Sequence, residues 1–338
     1  DFWGRIDRSI ESADASLEAS TEDYRDVLVV LYAEVSTNYV EVRALQDRIK
    51  YVRGNIETMR KSLQLTKDRF DAGLAPDLDV QQAELNLART ESTLPTLQMR
   101  LVQTINRLGV LLGERPGALH DELVKPSSIP KPSEYITVGL PVGLLRQRPD
   151  IRQAERELAA QTALIGVAKA DLYPSFSLFG TFEIAANDFS DVFDYSKSRM
   201  HSFGPSFRWN IFDGGRVRNQ IRAEDARTEQ ALVRYKKTVL DALEDVENAM
   251  ISYIQEEVRR NALERSVKAA RKSTDLVRTL YISGLTDFQN VQEMERFQFE
   301  QEDQFAESEG KVVQNLISIY RSLGGGWNPE EEKHELSQ

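Results

Sequence analysis

Residues 70–77 read Phe-Asp-Ala-Gly-Leu-Ala-Pro-Asp and lie between two long runs of regularly spaced apolar side chains. Glycine is the usual residue just beyond a helix end, and proline cannot continue a helix. Asp77 can cap the start of the helix that follows. The segment therefore predicts a tight turn between two antiparallel helices.

Apolar residues recur every seven positions on both sides of this turn, within Val35–Leu63 before it and within Val80–Leu108 after it. Further apolar residues fill the interleaved positions, which is the spacing of a coiled-coil seam. We therefore expect a first arm over about residues 5–72, roughly 100 Å long at ~1.5 Å per residue, and a return arm over about 77–112.

A second copy of the turn stands 211 residues further on, where residues 281–285 read Tyr-Ile-Ser-Gly-Leu. The same offset places residues 112–113, Leu-Gly, on residues 323–324, again Leu-Gly. A constant offset at landmarks spread along the chain indicates an internal repeat. We therefore expect two helical-hairpin repeats, over residues 2–113 and 213–324.

The seam of the second copy is less regular than that of the first. Val246 and Val267 hold seam positions, but so do Glu256, Arg260 and Gln298. Polar residues fit poorly into a dry two-helix core. Two interpretations stay open: part of the second hairpin faces water or another subunit, or the seam is merely loose.

The residues between the two copies change character along the chain. Residues 114–150 are rich in proline and predict an irregular connector, and a helix is expected over 151–170. Within 171–212 the apolar period changes from that of a helix to that of a strand, which predicts two β-strands over 175–184 and 202–211. Strands of this length can cross a membrane, although an ordinary soluble hairpin would show the same alternation.

Composition and motifs exclude several classes of function. The 43 basic and 54 acidic residues give a formal net charge of −11, whereas a chain that binds nucleic acid shows a basic surface. The sequence contains no cysteine, which excludes thiolate zinc sites and cysteine nucleophiles. The three histidines are scattered, and no HExxH, GxSxG or P-loop motif occurs. We therefore expect no enzyme, no cofactor, no metal site and no nucleic-acid partner.

Four stretches are characteristic in combination. Residues 148–155 read Arg-Pro-Asp-Ile-Arg-Gln-Ala-Glu, 172–180 read Leu-Tyr-Pro-Ser-Phe-Ser-Leu-Phe-Gly, 209–216 read Trp-Asn-Ile-Phe-Asp-Gly-Gly-Arg, and 320–327 read Tyr-Arg-Ser-Leu-Gly-Gly-Gly-Trp. Together with the two turns, they closely resemble the outer-membrane efflux channel family, the TolC- and OprM-like exit ducts. Within that family the chain looks most like the lipoprotein branch that serves resistance–nodulation–division drug pumps.

The resemblance implies a fold that is mainly α with a small β part. Three protomers would form a passive duct in the outer membrane of a Gram-negative bacterium, extending into the periplasm. Each would contribute two hairpins to a periplasmic α-barrel and four strands to a shared outer-membrane β-barrel. The connector 114–150 and the C-terminal segment 325–338 would form an equatorial belt. The implied partners are a homotrimer, a periplasmic adaptor protein, an inner-membrane efflux pump and outer-membrane lipid.

One departure from the family concerns the first copy. Subtracting the offset of 211 from residues 150–212 places their counterparts at −61 to 1, so that all but the last would precede residue 1. The sequence thus predicts an N-terminally truncated chain that lacks the N-terminal helices, two of the four strands, the signal peptide and any lipid-bearing cysteine.

The resemblance also implies docking residues. In the family, the turns of both hairpins form the periplasmic tip, which closes the channel and meets the adaptor. Glycine permits the positive φ of such a turn, and an exposed leucine can anchor a partner helix. A helix stop whose leucine folds back on its own hairpin is the alternative for each residue. The docking candidates are Arg69, Phe70, Gly73, Leu74, Tyr281, Gly284 and Leu285.

For the gate, the family places an acidic residue nine positions after the glycine of the second turn, which is Glu293 here. Where some members have aspartate or leucine, this chain has Asn290 and Gln289. Asp287 and Phe288 are weaker candidates for the same region. Three copies of Glu293 would favour cations at a constriction, and the alternative is a solvated helix acid among many.

A helical-hairpin scaffold or adaptor without a pore is the second hypothesis. Such a protein would use its coiled coils for protein contacts, and it predicts a single hairpin beside a lipoyl-like or β-barrel flank. Two hairpin copies joined to aromatic strands favour the duct.

Overall fold

The computed structural model describes residues 1–130, 146–184 and 199–325. In chain order, the helices are α1 (Arg5–Asp71), α2 (Asp77–Leu111), α3 (His120–Leu123), α4 (Pro149–Ala170), α5 (Arg216–Ile282) and α6 (Phe288–Ser322), with strands β1 (Ser175–Ile184) and β2 (Arg199–Arg208) between α4 and α5. Residues 185–198 between the strands, much of the connector and nearly all of the C-terminal segment lie outside the described residues. The described part is therefore mainly helical with one small sheet, as expected.

The two hairpins repeat residue for residue. Helices α1 and α5 each contain 67 residues, and α2 and α6 each contain 35. Every bound of α5 and α6 equals the matching bound of α1 and α2 plus 211, which confirms the tandem repeat.

The chain divides into two compact units, which are described separately. The strand unit comprises Asp1–Arg25 and Pro149–Asp241, and the hairpin unit comprises Asp26–Arg148 and Ala242–Gln338. Among the described residues, no helix combines the length and the apolar character that crossing a lipid bilayer requires.

The first hairpin of the hairpin unit has a dry apolar seam. Leu45, Val52 and Ile105 are almost fully buried in a core built from the heptad positions of α1 and α2. At the turn, Gly73 has a φ of 72°, and the amide of Leu74 donates to the carbonyl of Arg69 at 2.8 Å. This hydrogen bond satisfies a carbonyl that the end of α1 leaves without an intrahelical partner. The expected cap by Asp77 is wrong, because Pro76 takes the N-cap position and no side chain caps α2.

The connector is anchored to α1 by two buried polar side chains. Gln46 Nε2 donates to the carbonyl of Leu123 at 2.6 Å, and Arg43 Nη1 donates to the carbonyl of Lys125 at 2.9 Å. The connector was expected to be irregular, and it contains the short helix α3 in its described part. The side chains of α1 therefore supply hydrogen-bond partners to two backbone carbonyls of the connector.

The strands of the strand unit form an antiparallel pair. Ser175 pairs with Arg208 at one end of the ladder, and Phe176 faces Phe207 with ring centres 5.3 Å apart. The prediction for β2 is wrong by three residues at both ends, because the strand spans Arg199–Arg208 rather than residues 202–211. The alternating pattern continues through Trp209, but β1 offers no partner beyond Ser175, and the Trp209 indole instead donates to the Leu172 carbonyl at 3.2 Å.

The two faces of this ribbon differ in chemistry. Apolar side chains predominate at one parity of the paired residues, although His201 shares it. Hydroxyls predominate at the other parity, which also carries Phe179, and there the Ser177 and Ser206 oxygens lie 2.7 Å apart. Alternation of this kind gives a sheet one apolar and one polar face. More than half of each large apolar side chain is exposed: Phe176, Leu178, Phe182, Phe203 and Phe207.

Candidate gate and docking surface at the hairpin tips

The turns of the two hairpins have the same geometry. Gly73 and Gly284 have φ values of 72° and 73°, which favour glycine because a side chain in that region is strained. Leu74 and Leu285 follow these glycines and are 67% and 74% exposed. Each turn thus presents an apolar side chain to its surroundings, and neither leucine folds back onto its hairpin.

Arg69 joins the tip of the first hairpin to the tip of the second. Its Nη1 donates to the carbonyl of Ile282 at 3.1 Å, and its guanidinium carbon lies 4.7 Å from the centre of the Tyr281 ring. A cation above an aromatic face at this distance is attracted by the ring. The two turns therefore lie at the same level within the hairpin unit.

Two of the predicted site residues lie in the interior. Tyr281 is 3% exposed and Phe288 is 2% exposed, and their ring centres are 5.4 Å apart. Burial raises the pKa of the Tyr281 hydroxyl. Side chains so placed pack between the hairpins, and in this arrangement Tyr281 offers no surface to an adaptor and Phe288 none to a channel.

Acidic groups from both hairpins meet beside Arg69. Burial raises the pKa of the Asp79 carboxyl, the negative charge of Asp287 raises it further, and Arg69 opposes both effects. The tip thus combines a like-charge repulsion with a cation that moderates it. Asp79 was not predicted as a site residue, because a single acid in the first turn of a helix is ordinary.

The remaining gate candidates are exposed on α6. Glu293 lies four positions after Gln289 and three after Asn290, so it shares one side of the helix with both. The Asn290 amide donates to the Thr286 hydroxyl at 2.8 Å, which holds it close to the turn. The roles of these residues in a constriction stay predictions.

A set of buried polar residues went unnoticed in the sequence. Glu302, 4% exposed, accepts hydrogen bonds from Asn55 Nδ2 at 2.9 Å and from Arg271 Nε at 2.6 Å. Seven residues nearer the tip, three other residues form an equivalent set of hydrogen bonds. Glu295, also 4% exposed, accepts from the Ser62 hydroxyl and from Arg278 Nη2 at 2.7 Å.

We call these six residues the polar ladder. Each of its two rungs brings together a short polar side chain of α1, a glutamate of α6 and an arginine of α5. A signal was present, since Glu295 and Glu302 fall seven and fourteen positions after the buried Phe288. Charged residues in phase with a seam indicate a buried ion pair when another helix supplies the opposite charge.

Two of the polar seam residues that the sequence revealed, Glu256 and Gln298, have partners within the chain. The third, Arg260, donates from Nη2 to Asn261 Oδ1 at 2.7 Å, whereas its buried Nε has no partner among the described residues. Glu256 accepts from the Ser308 hydroxyl and from Arg259, and Gln298 donates to Glu302 at 3.1 Å. These bonds give the irregular second seam a local explanation.

Helices α1 and α6 are in close contact at two small residues. A Cβ atom added to Gly310 would lie 2.7 Å from the Cβ of Ala44, which is closer than carbon atoms can stand. The same stretch of α6 contains Ala306 and Ser308, both fully buried. The close contact lies beyond the polar ladder, on the side away from the tip.

Comparisons with known proteins agree with this architecture. A model of the family described as "Outer membrane efflux protein" matches residues 1–114 and 140–325. Nodulation protein T of Rhizobium leguminosarum bv. trifolii is 30% identical over 331 residues, which cover 97% of this chain and 70% of that protein. Outer membrane protein OprJ of Pseudomonas aeruginosa is 31% identical, covering 97% of this chain and 68% of that protein.

Solved structures show the same fold. The outer-membrane channel OprN matches with a TM-score of 0.91 and 40% identity, covering 96% of this chain and 73% of that one. CusC, described as forming a transmembrane channel, matches with a TM-score of 0.87 and 26% identity, covering 96% of this chain and 75% of that one. The resemblance drawn from the sequence motifs is thereby confirmed, and the chain belongs to the outer membrane efflux protein family.

Proposed function

We propose that this chain is one protomer of the outer-membrane exit duct of a tripartite efflux system. The duct carries drugs or other small molecules away from an inner-membrane pump and a periplasmic adaptor. Three protomers share one channel, and the apolar face of β1 and β2 contacts outer-membrane lipid. One observation carries the proposal: two equivalent hairpins bring their turns to a common level through Arg69, Tyr281 and Ile282.

Each segment of the chain is proposed to form one part of the duct. Residues 2–113 and 213–324 are the two hairpins of the periplasmic part, and 171–212 supply strands and an extracellular loop. Residues 114–150 and 325–338 form the equatorial belt, with the helix 151–170 between the belt and the strands. The match to the family across residues 1–114 and 140–325 supports this order of parts.

The gate is proposed to lie at the tips and to depend on Arg69. While Arg69 contacts Tyr281 and the Ile282 carbonyl, the two hairpins are held side by side. Release of this contact lets the tips separate, and the exposed acid of Glu293 then favours the passage of cations over anions. Asn290 and Gln289 line the same side of α6 and make that constriction less charged than an all-acidic ring.

The adaptor is proposed to dock on the turns. Leu74 and Leu285 are exposed apolar side chains at the turns, which suits the groove of a partner helix. Phe70, exposed one turn before Leu74, enlarges the first of these patches. Gly73 and Gly284 contribute by holding the turns that present the leucines.

The experiment replaces each exposed leucine with aspartate in the full-length protein. Leu74→Asp and Leu285→Asp should abolish drug export, measured as minimum inhibitory concentrations in a strain that lacks its own exit duct. Leu112→Asp, at the exposed far end of α2, is the matched control and should export normally. Immunoblots of outer-membrane fractions establish equal amounts of protein.

Unchanged export by both tip variants would contradict docking at the turns. A scaffold without a pore makes a different prediction, because it would give no ion conductance in a planar bilayer at any protein concentration.

A further inference from the structure

A cavity of about 440 Å³ lies in the strand unit, at the end of the strand pair that joins α4 and α5. Ser175 and Arg208, which form the last pair of the ladder at this end, both line it. Aromatic rings form one part of its wall, and three arginines form another. The rings include those of Trp3, Tyr173 and Phe176, and the arginines are Arg5, Arg208 and Arg216.

Two indoles bind backbone carbonyls at the junction of α4 and β1. Trp3 Nε1 donates to the carbonyl of Pro174 at 2.8 Å, and Trp209 Nε1 donates to that of Leu172 at 3.2 Å. The Trp3 ring also stacks on Tyr173, with ring centres 4.6 Å apart. Tryptophan and tyrosine concentrate where the apolar interior of a bilayer meets its headgroups. This end of the strands therefore carries the residues of a bilayer boundary.

The length of the strands places the boundary at the same level. β1 and β2 contain 10 residues each. At ~3.4 Å per residue and a tilt of ~40°, such a strand rises about 25 Å, the height of the apolar band of a membrane-spanning strand. Exposed apolar rings run from Phe182 to Phe176 along β1. The apolar band therefore ends close to Ser175 and Arg208.

Two of the three arginines keep their charge available for a ligand. Arg5 Nη1 donates to Asp171 Oδ1 at 2.8 Å, so this guanidinium is already paired. Within the part of the chain that the structure describes, the guanidinium groups of Arg208 and Arg216 form no hydrogen bond and no ion pair. Arginine is the side chain best suited to phosphate, because its planar fork can donate two parallel hydrogen bonds.

The carboxylates near these arginines are engaged elsewhere. Asp1 Oδ2 accepts from the backbone amide of Ile6 at 2.6 Å. Asp213 lies close enough to Arg216 for the charges to attract, but its two oxygens accept backbone amides at the start of α5. Positive charge is thus left over beside an aromatic wall, which is the chemistry of a site for an anionic amphiphile.

We propose that this cavity binds the headgroup of an anionic phospholipid, with its phosphate on Arg208 and Arg216. The proposal rests on the contact between the strands and outer-membrane lipid proposed above, and it adds the class of headgroup and the residues that select it. Phe176 lines the cavity and also belongs to the apolar face of β1, so acyl chains leaving the cavity continue along the strands.

Charge decides which phospholipid is preferred. A headgroup with a net negative charge brings no ammonium group of its own near the two arginines, whereas a zwitterionic headgroup does. Each arginine near an anionic lipid surface contributes an attraction that corresponds to roughly a fivefold change in binding. A free phosphate ion would satisfy the arginines but would leave the aromatic wall uncovered, so the lipid is the better occupant.

Native mass spectrometry of the full-length protein in a neutral detergent tests the proposal. Phosphatidylglycerol and phosphatidylcholine with identical acyl chains are titrated separately, and the first lipid bound per protomer is counted. The parent should bind phosphatidylglycerol at least about fivefold more tightly than phosphatidylcholine. In Arg208→Gln/Arg216→Gln the two lipids should bind almost equally.

Arg218→Gln/Arg222→Gln is the matched control. It removes the same charge from the first two turns of α5, but neither residue lines the cavity. The control should keep the preference of the parent. Since Arg208 and Arg216 have no side-chain partner among the described residues, both double variants should also unfold at the temperature of the parent.

Four results would overturn the proposal. Equal binding of the two lipids by the parent would refute selection by charge and leave the contact between strands and lipid intact. An equal loss of preference in the control would show that diffuse surface charge attracts the lipid. Displacement of phosphatidylglycerol by millimolar inorganic phosphate would show a site for a free anion. Retention of neither lipid would refute the site together with the lipid contact of the proposed function.

Discussion

The guanidinium group of Arg69 lies 4.7 Å from the centre of the Tyr281 ring, so a residue at the end of α1 holds a residue at the end of α5. The side chain also donates to the Ile282 carbonyl, which the helix end leaves without an intrahelical partner. This contact joins the tips of the two coiled-coil hairpins.

Replacing Arg69 should let the tips separate. In Arg69→Ala both the cation–ring contact and the bond to the Ile282 carbonyl are lost, so the two turns are no longer tied together. Spin labels at Leu74→Cys and Leu285→Cys report the separation as a distance distribution by pulsed electron resonance. We expect a longer and broader distribution in the variant than in the parent.

Arg60→Ala is the matched control, because Arg60 forms an exposed ion pair with Glu91 inside the first hairpin. Exposed pairs of this kind contribute about 0–1 kcal/mol, so its distance distribution should equal that of the parent. Equal distributions in all three proteins would show that Arg69 does not hold the tips.

Removing only one partner of a hydrogen bond in the polar ladder should lower the free energy of unfolding. Asn55→Leu leaves a buried oxygen of Glu302 without its amide partner, which should lower the free energy of unfolding by about 1–3 kcal/mol. Removing both groups in Asn55→Leu/Glu302→Leu replaces them with apolar contact and frees Arg271, which is half exposed, to reach water. The double variant should therefore be more stable than Asn55→Leu in thermal unfolding followed by circular dichroism; additive losses would refute the ladder as a coupled unit.

The contact between Gly310 and Ala44 makes a steric prediction. Gly310→Ala forces the two helices apart and should destabilise the protein by about 1–3 kcal/mol. Ala44→Gly in the same chain removes the clashing atom and should recover most of the loss. Gly54→Ala, where an added Cβ meets nothing within 4 Å, should stabilise the helix slightly.

These three variants are compared by the midpoint of thermal unfolding. If Gly310→Ala and Gly54→Ala shift the midpoint equally, α1 and α6 do not touch at residue 310.

Asp79 should make the tip sensitive to pH. Its pKa is raised above the ordinary value of 3.8 by burial and then by Asp287, so the folded protein holds this proton more tightly than the unfolded chain. Stability from this group is therefore present at low pH and is lost as pH rises from about 3.8 through the raised pKa. Asp79→Asn should raise the unfolding midpoint at pH 7, and the gain should shrink as the pH is lowered towards that window; a gain independent of pH would contradict the assignment.

Glu293 should influence which ions pass. Glu293→Gln removes the exposed charge on the side of α6 that carries Gln289 and Asn290, so the preference for cations should fall in reversal-potential measurements across a bilayer. Glu84→Gln, an exposed acid of α2 at a similar distance from the tip, is the control and should leave the selectivity unchanged. The same selectivity in Glu293→Gln and the parent would remove Glu293 from the gate.

Much of this fold could be predicted from spacing alone. Heptads predicted the hairpins, and the 211-residue offset predicted that the second hairpin repeats the first; the structure adds that the matching helices are equal in length. Strand β2 was misplaced by three residues because the alternating pattern of one strand does not show where its partner strand ends. Here β1 ends at Ser175, which pairs with Arg208. An alternating pattern indicates that a strand is present more reliably than it indicates where the strand ends.

The tip was only partly predictable. Leu74, Leu285 and the two glycines stand where the motif indicated, because a turn between helices is a local property. Tyr281 and Phe288 are buried because the first hairpin lies against them. The pKa of Asp79 is raised first by burial and then by Asp287, a residue more than two hundred positions away. Contacts between distant segments cannot be predicted from local spacing, and the polar ladder was missed for the same reason.

The most direct test of the account is the conductance of the purified full-length protein in planar bilayers, compared with that of Arg69→Ala. We expect ohmic steps in both, with rare or small openings in the parent and larger, longer openings once Arg69 no longer holds Tyr281. No conductance in either protein would contradict a duct, and identical steps in both would contradict a gate at the hairpin tips.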